Sequence, residues 1–146
     1  MDRRRYHLAH QLKRADHALT TALEAALQPL GVTLAQANVL LFVDRYPLTT
    51  MPRLAALAAV SPQAMHRTVV GLQQQGWLVR ERQPGNEKTF HLTLAAAGKQ
   101  VLDQAEEAIT AVQDRTADHL DHAEIDQLHH LLRRYEAAFL PREEEP

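Results

Sequence analysis

Between Thr50 and Leu94 the sequence changes rhythm abruptly, and that change limits the fold more than any other feature. The stretch MPRLAALA has helical spacing behind Thr50, a residue type that caps helix starts, and Pro52 falls in the first turn, where its missing N–H is not needed. A three-residue turn follows, and Ser61-Pro62 then opens a second helix: Ser can cap the free N–H groups, and Pro supplies a helical φ. Met65, Thr68, Val69 and Leu72 form its expected buried stripe, and Gly76 closes it. From Trp77 the period drops to two. WLVRERQPGNEKTFHLTL predicts a strand through Gln83, a turn at Pro84-Gly85-Asn86, and a second strand from Lys88.

Helix, short turn, capped helix and hairpin together make a helix-turn-helix with a wing. Such a helix fits the DNA major groove and offers its N-terminal donors to phosphate. With Met65 facing inward, Gln63, Arg67, Val70 and Gln74 face most nearly outward, and His66 lies to the side. Gln pairs two-pronged with adenine and Arg with guanine, so this face can carry sequence information. Val70 and Gln74 lie too far along the helix to reach bases. Arg80 and Arg82, two residues apart, share one face of the first strand. A polar outer face alone would equally suit a solvated helix; its joint occurrence with the short turn, the Ser-Pro start and the arginine-bearing hairpin selects DNA.

The flanking segments predict long helices. Residues 3–28 repeat Leu8, Leu12, Ala15, Leu19, Leu23 and Leu27 at steps of three and four until Pro29 and Gly31. Thr33 and Gln36 form a capping box for a second helix, LAQANVLLFVDRY, which Pro47 stops; it is apolar on nearly all sides and therefore central. A further helix starts at Ala95, with Val101, Ala105, Ala108, Ile109 and Val112 as its stripe. Asp121 and Glu124 form another capping box, opening a last helix with Ile125, Leu128, Leu132, Tyr135 and Phe139. The tail PREEEP is expected to fray. Terminal stripes of this length are not easily covered by the segment between them, so they either pack on each other within one chain or are covered by a second copy. Pairing of two copies would bury them and set two DNA-reading helices roughly 34 Å apart.

Composition narrows the alternatives. The chain has 146 residues, no Cys and 5% aromatics, which excludes disulfides, thiolate metal sites and cysteine nucleophiles. No apolar run approaches the roughly 18 residues of a membrane span, so a cytoplasmic, non-membrane protein is expected. Net charge is −2, but unevenly spread: residues 51–91 carry five basic and two acidic residues, and residues 92–146 carry five basic and twelve acidic. A basic middle can present a positive face on an acidic support. Arg3, Arg4 and Arg5 are more simply the start of a solvated helix than a DNA contact. Nine histidines include His7, His10 and His17 near one end and His119, His122, His129 and His130 near the other. They form no motif with a carboxylate partner that assigns a metal. Gly-rich phosphate loops and hydrolase or zinc-protease motifs are missing, so neither catalysis nor a cofactor is expected.

LTLAQANVLLFV, LAALAAVSPQAMHRTVVGLQQQGWLVRERQ and LTLAAAGKQVL resemble successive blocks of the MarR family of bacterial transcriptional regulators. The resemblance runs from about residue 8 to residue 139 and implies a mainly α fold with a small β-hairpin: a winged helix-turn-helix over 33–94, with dimerisation helices over 1–30 and 95–146 of a single domain. It also implies a homodimer on palindromic double-stranded DNA, usually a repressor relieved by a small ligand. Ser61, Pro62, Gln63, Ala64, His66 and Arg67 fall at recognition-helix positions, and Arg80, Arg82 and Lys88 would hold flanking backbone or minor groove. An effector would lie between the dimer body and the DNA-binding lobe, where the apolar NVLLFV would suit an amphipathic or aromatic ligand but suits an ordinary core better, residue by residue. Three positions depart from the family pattern. Asn86-Glu87-Lys88 stands where Asp-x-Arg is common, and Lys lacks the planar fork of Arg. Ala59 replaces a frequent turn Gly, and Gly71 replaces a frequent basic residue. Two alternatives remain at this stage: a winged-helix protein-interaction module with little DNA binding, and a metal-responsive regulator.

Overall fold

A computed structural model of the protein describes residues Arg3–Leu140. The charged tail 141–146, expected to fray, lies outside them. The chain divides into two compact units at Thr110/Ala111.

In the first unit, α1 (Arg3–Leu27) ends in a 3-10 turn, Gln28–Leu30, that Gly31 closes at φ +67. The expected capping box then starts α2 (Leu34–Arg45): Thr33 Oγ1 accepts the Gln36 N–H at 3.1 Å, and Gln36 Oε1 accepts the Thr33 N–H at 3.0 Å. As expected, α2 is central. Val39, Leu40 and Val43 pack with Leu54 and Ala55 of α3 (Met51–Leu57), Met65, Val69 and Leu72 of α4 (Pro62–Gln74), and Leu78 and Leu92 of the hairpin. Burying each of the larger of these side chains contributes about 1.5–3 kcal/mol. Thr68, expected in the α4 stripe, is half-buried, and its hydroxyl donates to the Ala64 carbonyl.

Thr50 occupies the cap position of α3 with extended backbone, but its side chain makes no capping hydrogen bond. The start of α3 is held instead by the main chain, through Leu54 N–H to the Thr50 carbonyl at 3.0 Å. The turn between α3 and α4 has Ala59 at φ +52, a left-handed conformation that costs an L-residue about 1–2 kcal/mol. Ala59→Gly should therefore raise stability by about 0.5–1 kcal/mol, relieved strain less the added freedom of the unfolded chain. A melting temperature raised by roughly 1–4 °C would show it.

The hairpin is one antiparallel ribbon of β1 (Leu78–Gln83) and β2 (Asn86–Leu94). Its turn is tighter than expected: Asn86 pairs with Gln83, leaving Pro84 and Gly85 as the loop, with Gly85 at φ +78. Pro then Gly at these two places is the usual chemistry of a type II turn. The register shifts immediately afterwards. Arg82 faces Phe90 while Gln83 faces Asn86, so residues 87–89 of β2 bulge out of the ladder. The ribbon is fixed to the helices where Leu92 N–H donates to the Thr49 carbonyl at 3.2 Å.

The next helix, α5 (Ala96–Asp114), packs its first turns on the chain at Trp77, whose carbonyl accepts the Ala95 N–H at 3.0 Å. Besides the expected Ala105, it buries Leu102 and Gly98. Lys99 joins Asp103 of its own helix and Asp44 of α2, at 3.2 and 3.3 Å; these two carboxylates raise the pKa of its exposed ammonium.

Within the second unit, a 3-10 turn (Arg115–Asp118) leads to α6 (His122–Ala137), which begins with the expected Asp121–Glu124 capping box. None of the residues of α6 is buried in the single chain. Among the described residues, no single helix is long and apolar enough to cross a membrane.

Candidate nucleic-acid interface

The start of α4 is built by its local sequence. Ser61 is extended (φ −66, ψ 152), and its Oγ accepts the Ala64 N–H at 3.2 Å. Pro62 has no N–H to satisfy, so Gln63 N–H is the first-turn donor left to face outward. Met65, Val69 and Leu72 anchor the helix from below. Consequently Gln63, His66 and Arg67 stand exposed on the first two turns, with Ser61 and Pro62 exposed at the tip. Ala64 is half-buried beside α2, where it borders a shallow depression with Thr33, Gln36, Arg67 and Thr68. Gln74, exposed, and Val70, half-buried, lie further along the helix.

Phe90 organises the wing. Arg80 places its guanidinium 4.2 Å from the Phe90 ring centroid and Arg82 places its own at 5.7 Å. Such stacking holds two long cationic side chains in place while keeping their charge exposed. The face that carries these arginines is also the one that continues inward as Leu78 and Leu92, so the predicted sharing of one face holds. A cleft of about 230 Å³ separates α4 from the ribbon, and His66 and Arg80 both line it. The structure thus brings a recognition-helix residue and a wing cation to one opening. Lys88 sits apart from them, exposed in the bulge, where Asn86 Oδ1 accepts its main-chain N–H at 3.2 Å.

Several residues of this surface escape sequence-level reasoning: Phe90, Met51, Gln73 and His91 all line the cleft. A simple two-residue hairpin would set Arg82 opposite residue 87, and only the bulge delivers Phe90 to it.

Comparison with known proteins settles the family. Residues 30–88 match the MarR family profile. The repressor Rv2887 of Mycobacterium tuberculosis, described as an HTH-type transcriptional repressor, is 31% identical over 108 residues, covering 74% of this chain and 78% of that protein. The chain belongs to the MarR family.

Three solved MarR-family structures share the fold at lower identity. CouR from Rhodococcus jostii RHA1, bound to p-coumaroyl-CoA, has a TM-score of 0.82 at 20% identity, covering 94% of this chain and 95% of that one. A mutant MarR from E. coli in complex with operator DNA has a TM-score of 0.80 at 22% identity, covering 88% and 92%. Rv2887 itself, in complex with DNA, superposes with a TM-score of 0.69 at 27% identity, covering 88% and 96%. The protein is accordingly a DNA-binding transcriptional regulator and not an enzyme. These relatives favour neither the interaction module nor the metal-responsive regulator.

Within the MarR family frame, the departures acquire physical meaning. The turn position often filled by Gly has a positive φ here, which Ala59 tolerates at a cost. Asn86 supplies an acceptor to the wing tip where the pattern has Asp. Gly71 is not required by packing: a Cβ there would meet only Gln36 Nε2, at 3.8 Å.

Proposed function

We propose that the protein is a homodimeric repressor of a palindromic operator, released by a small amphipathic or aromatic effector. The observation that carries this is the exposed Gln63–His66–Arg67 face of a Ser61-capped helix, set across a cleft from a wing cation. In this arrangement Gln63 and Arg67 read base edges, with His66 beside them. The Ser61 hydroxyl and Gln63 N–H hold a phosphate at the tip formed with Pro62 and Ala64. Arg80, Arg82 and Lys88 hold the flanking backbone or minor groove.

Dimerisation is supported by large apolar side chains left exposed in the single chain: Tyr6, Leu8 and Leu19 on α1, and Leu128, Leu131 and Leu132 on α6. Segments 1–30 and 95–146 would form the dimer body and 33–94 the DNA-binding lobe of a single domain. That CouR is bound to p-coumaroyl-CoA supports an effector for this chain too, acting by shifting the spacing of the two recognition helices.

Nuclease footprinting on the protein's own upstream DNA tests this reading, with particle mass read alongside. The expected result is a dimer protecting two half-sites about one helical turn apart. Lys88→Ala should weaken binding with little change in sequence preference and lower the salt dependence by about one counterion per protomer. Protection of a single half-site by a monomer, or no protection on any operator-sized DNA selected from random sequence, would refute the proposal.

A further inference from the structure

Phe90 is 36% exposed and lies outside the buried core cluster, so core packing does not account for an aromatic ring at this point of the wing. What the ring does touch is cationic. The ladder register sets Arg82 directly across from it and Arg80 on the diagonal, opposite Leu92, a separation that long side chains and rings can bridge. Yet the diagonal arginine stacks the closer, at 4.2 Å; Arg82, at 5.7 Å, is near the outer limit of about 6 Å for such contacts. Arg80 also lines the cleft that His66 of α4 lines. Lys88, by contrast, is exposed in the bulge, its charge carried on a flexible four-carbon stem. We propose that Phe90 is a positioning residue for DNA binding: it holds the Arg80 guanidinium ready for a backbone phosphate beside the recognition helix, so that the wing anchors DNA at its root rather than at its tip.

The gain comes from order rather than from charge. An unrestrained arginine loses rotamer freedom when it docks on a phosphate, and that loss weakens binding by about two- to tenfold for each side chain ordered. Arg80 gives up much of this freedom on folding, against the ring. Guanidinium is planar: its face rests on Phe90 while its N–H edge stays open to a phosphate oxygen, so the two contacts coexist. A lysine ammonium is a compact, strongly hydrated charge without that division of face and edge. Lys88 at the tip therefore supplies attraction without a fixed direction. Removing the ring leaves both guanidinium charges on the wing, so affinity should fall while the number of counterions released stays the same. Two protomers on one operator compound the effect to about four- to 100-fold.

The inference rests on the DNA-binding reading, and its test separates the two. Affinity for the footprinted fragment is measured over a series of salt concentrations for wild type, Phe90→Leu, Phe90→Tyr, Arg80→Lys, Arg80→Ala and the Arg80→Ala/Phe90→Leu double variant, with thermal unfolding of each. Phe90→Leu should bind about four- to 100-fold more weakly than wild type with the same salt slope. Phe90→Tyr keeps the ring and should bind within about twofold of wild type. Arg80→Lys keeps the charge but not the planar stack, and should lose about as much affinity as Phe90→Leu. Arg80→Ala should lower the salt slope by about one counterion per protomer, and in that background Phe90→Leu should change affinity by less than about twofold. An equal loss from Phe90→Leu with and without Arg80 would give the ring a merely structural role and overturn the proposal. So would a Phe90→Leu protein that binds as tightly as wild type or tighter, because the ring would then be idle or would hold Arg80 away from the phosphate. Wild type that binds no DNA at any salt concentration would instead refute the DNA-binding reading, and the role of Phe90 with it.

Discussion

Gly98→Ala is expected to cost the protein about 3 kcal/mol, lowering its melting temperature by roughly 6–12 °C. A Cβ built at Gly98 would lie 2.0 Å from the Trp77 carbonyl oxygen and 2.8 Å from its carbon. Backbone cannot rotate away as a flexible side chain can. Either α5 must withdraw from Trp77 or the start of β1 must shift, and both loosen the core that Leu102 and Leu78 share. Trp77 also packs against the neighbouring cluster of Leu27, Val32, Ala37 and Ala105, so the disturbance would reach the end of α1. Gly71→Ala provides the control with the same chemical change. Its Cβ would make ordinary contact with Gln36 Nε2, and the helix gains about 1 kcal/mol from replacing Gly by Ala. Thermal unfolding of the two variants should therefore move in opposite directions. A Gly98→Ala protein as stable as wild type would show that α5 does not approach Trp77 this closely.

The second large effect is functional. Arg67 is exposed on the second turn of α4, opposite the buried Met65 and Val69, so Arg67→Ala should change stability by no more than about 0.5 kcal/mol. Its loss should instead remove a two-pronged base contact from each half-site. At about 1–3 kcal/mol per contact, two copies amount to about 2–6 kcal/mol, a loss of operator affinity of roughly 30-fold to 10⁴-fold. Changing Lys88, a point charge at the wing tip, should cost far less specificity, because phosphate contacts position the protein without reading sequence.

Features written in local chemistry were legible before the fold was seen. Thr33–Gln36 and Asp121–Glu124 each satisfy reciprocal donors within four residues, and the structure shows both boxes closed. Ser61 caps α4, and the outward set around Gln63 and Arg67 follows from helical spacing alone. What was not legible depends on contacts distant in sequence. Thr50 has the right residue type for a cap, yet main-chain bonding alone closes the start of α3. The stacking of Arg80 and Arg82 on Phe90 depends on a bulge whose register no local pattern specifies. Strict alternation sets His91 on the face opposite Leu92, the outer face of an isolated ribbon, but Glu81 and the cleft beside α4 enclose it. Gly98 reads as an ordinary helix residue until Trp77 is found against it.

The central claim is that the outer face of α4 reads DNA sequence. Fluorescence anisotropy tests it most directly, comparing wild type and Arg67→Ala on operator and scrambled duplexes at two salt concentrations. Wild type should prefer operator by at least about 10³-fold. Arg67→Ala should lose most of that preference while retaining much of its salt-sensitive affinity for scrambled DNA. An Arg67→Ala protein that still distinguishes the two duplexes as wild type does would contradict the claim.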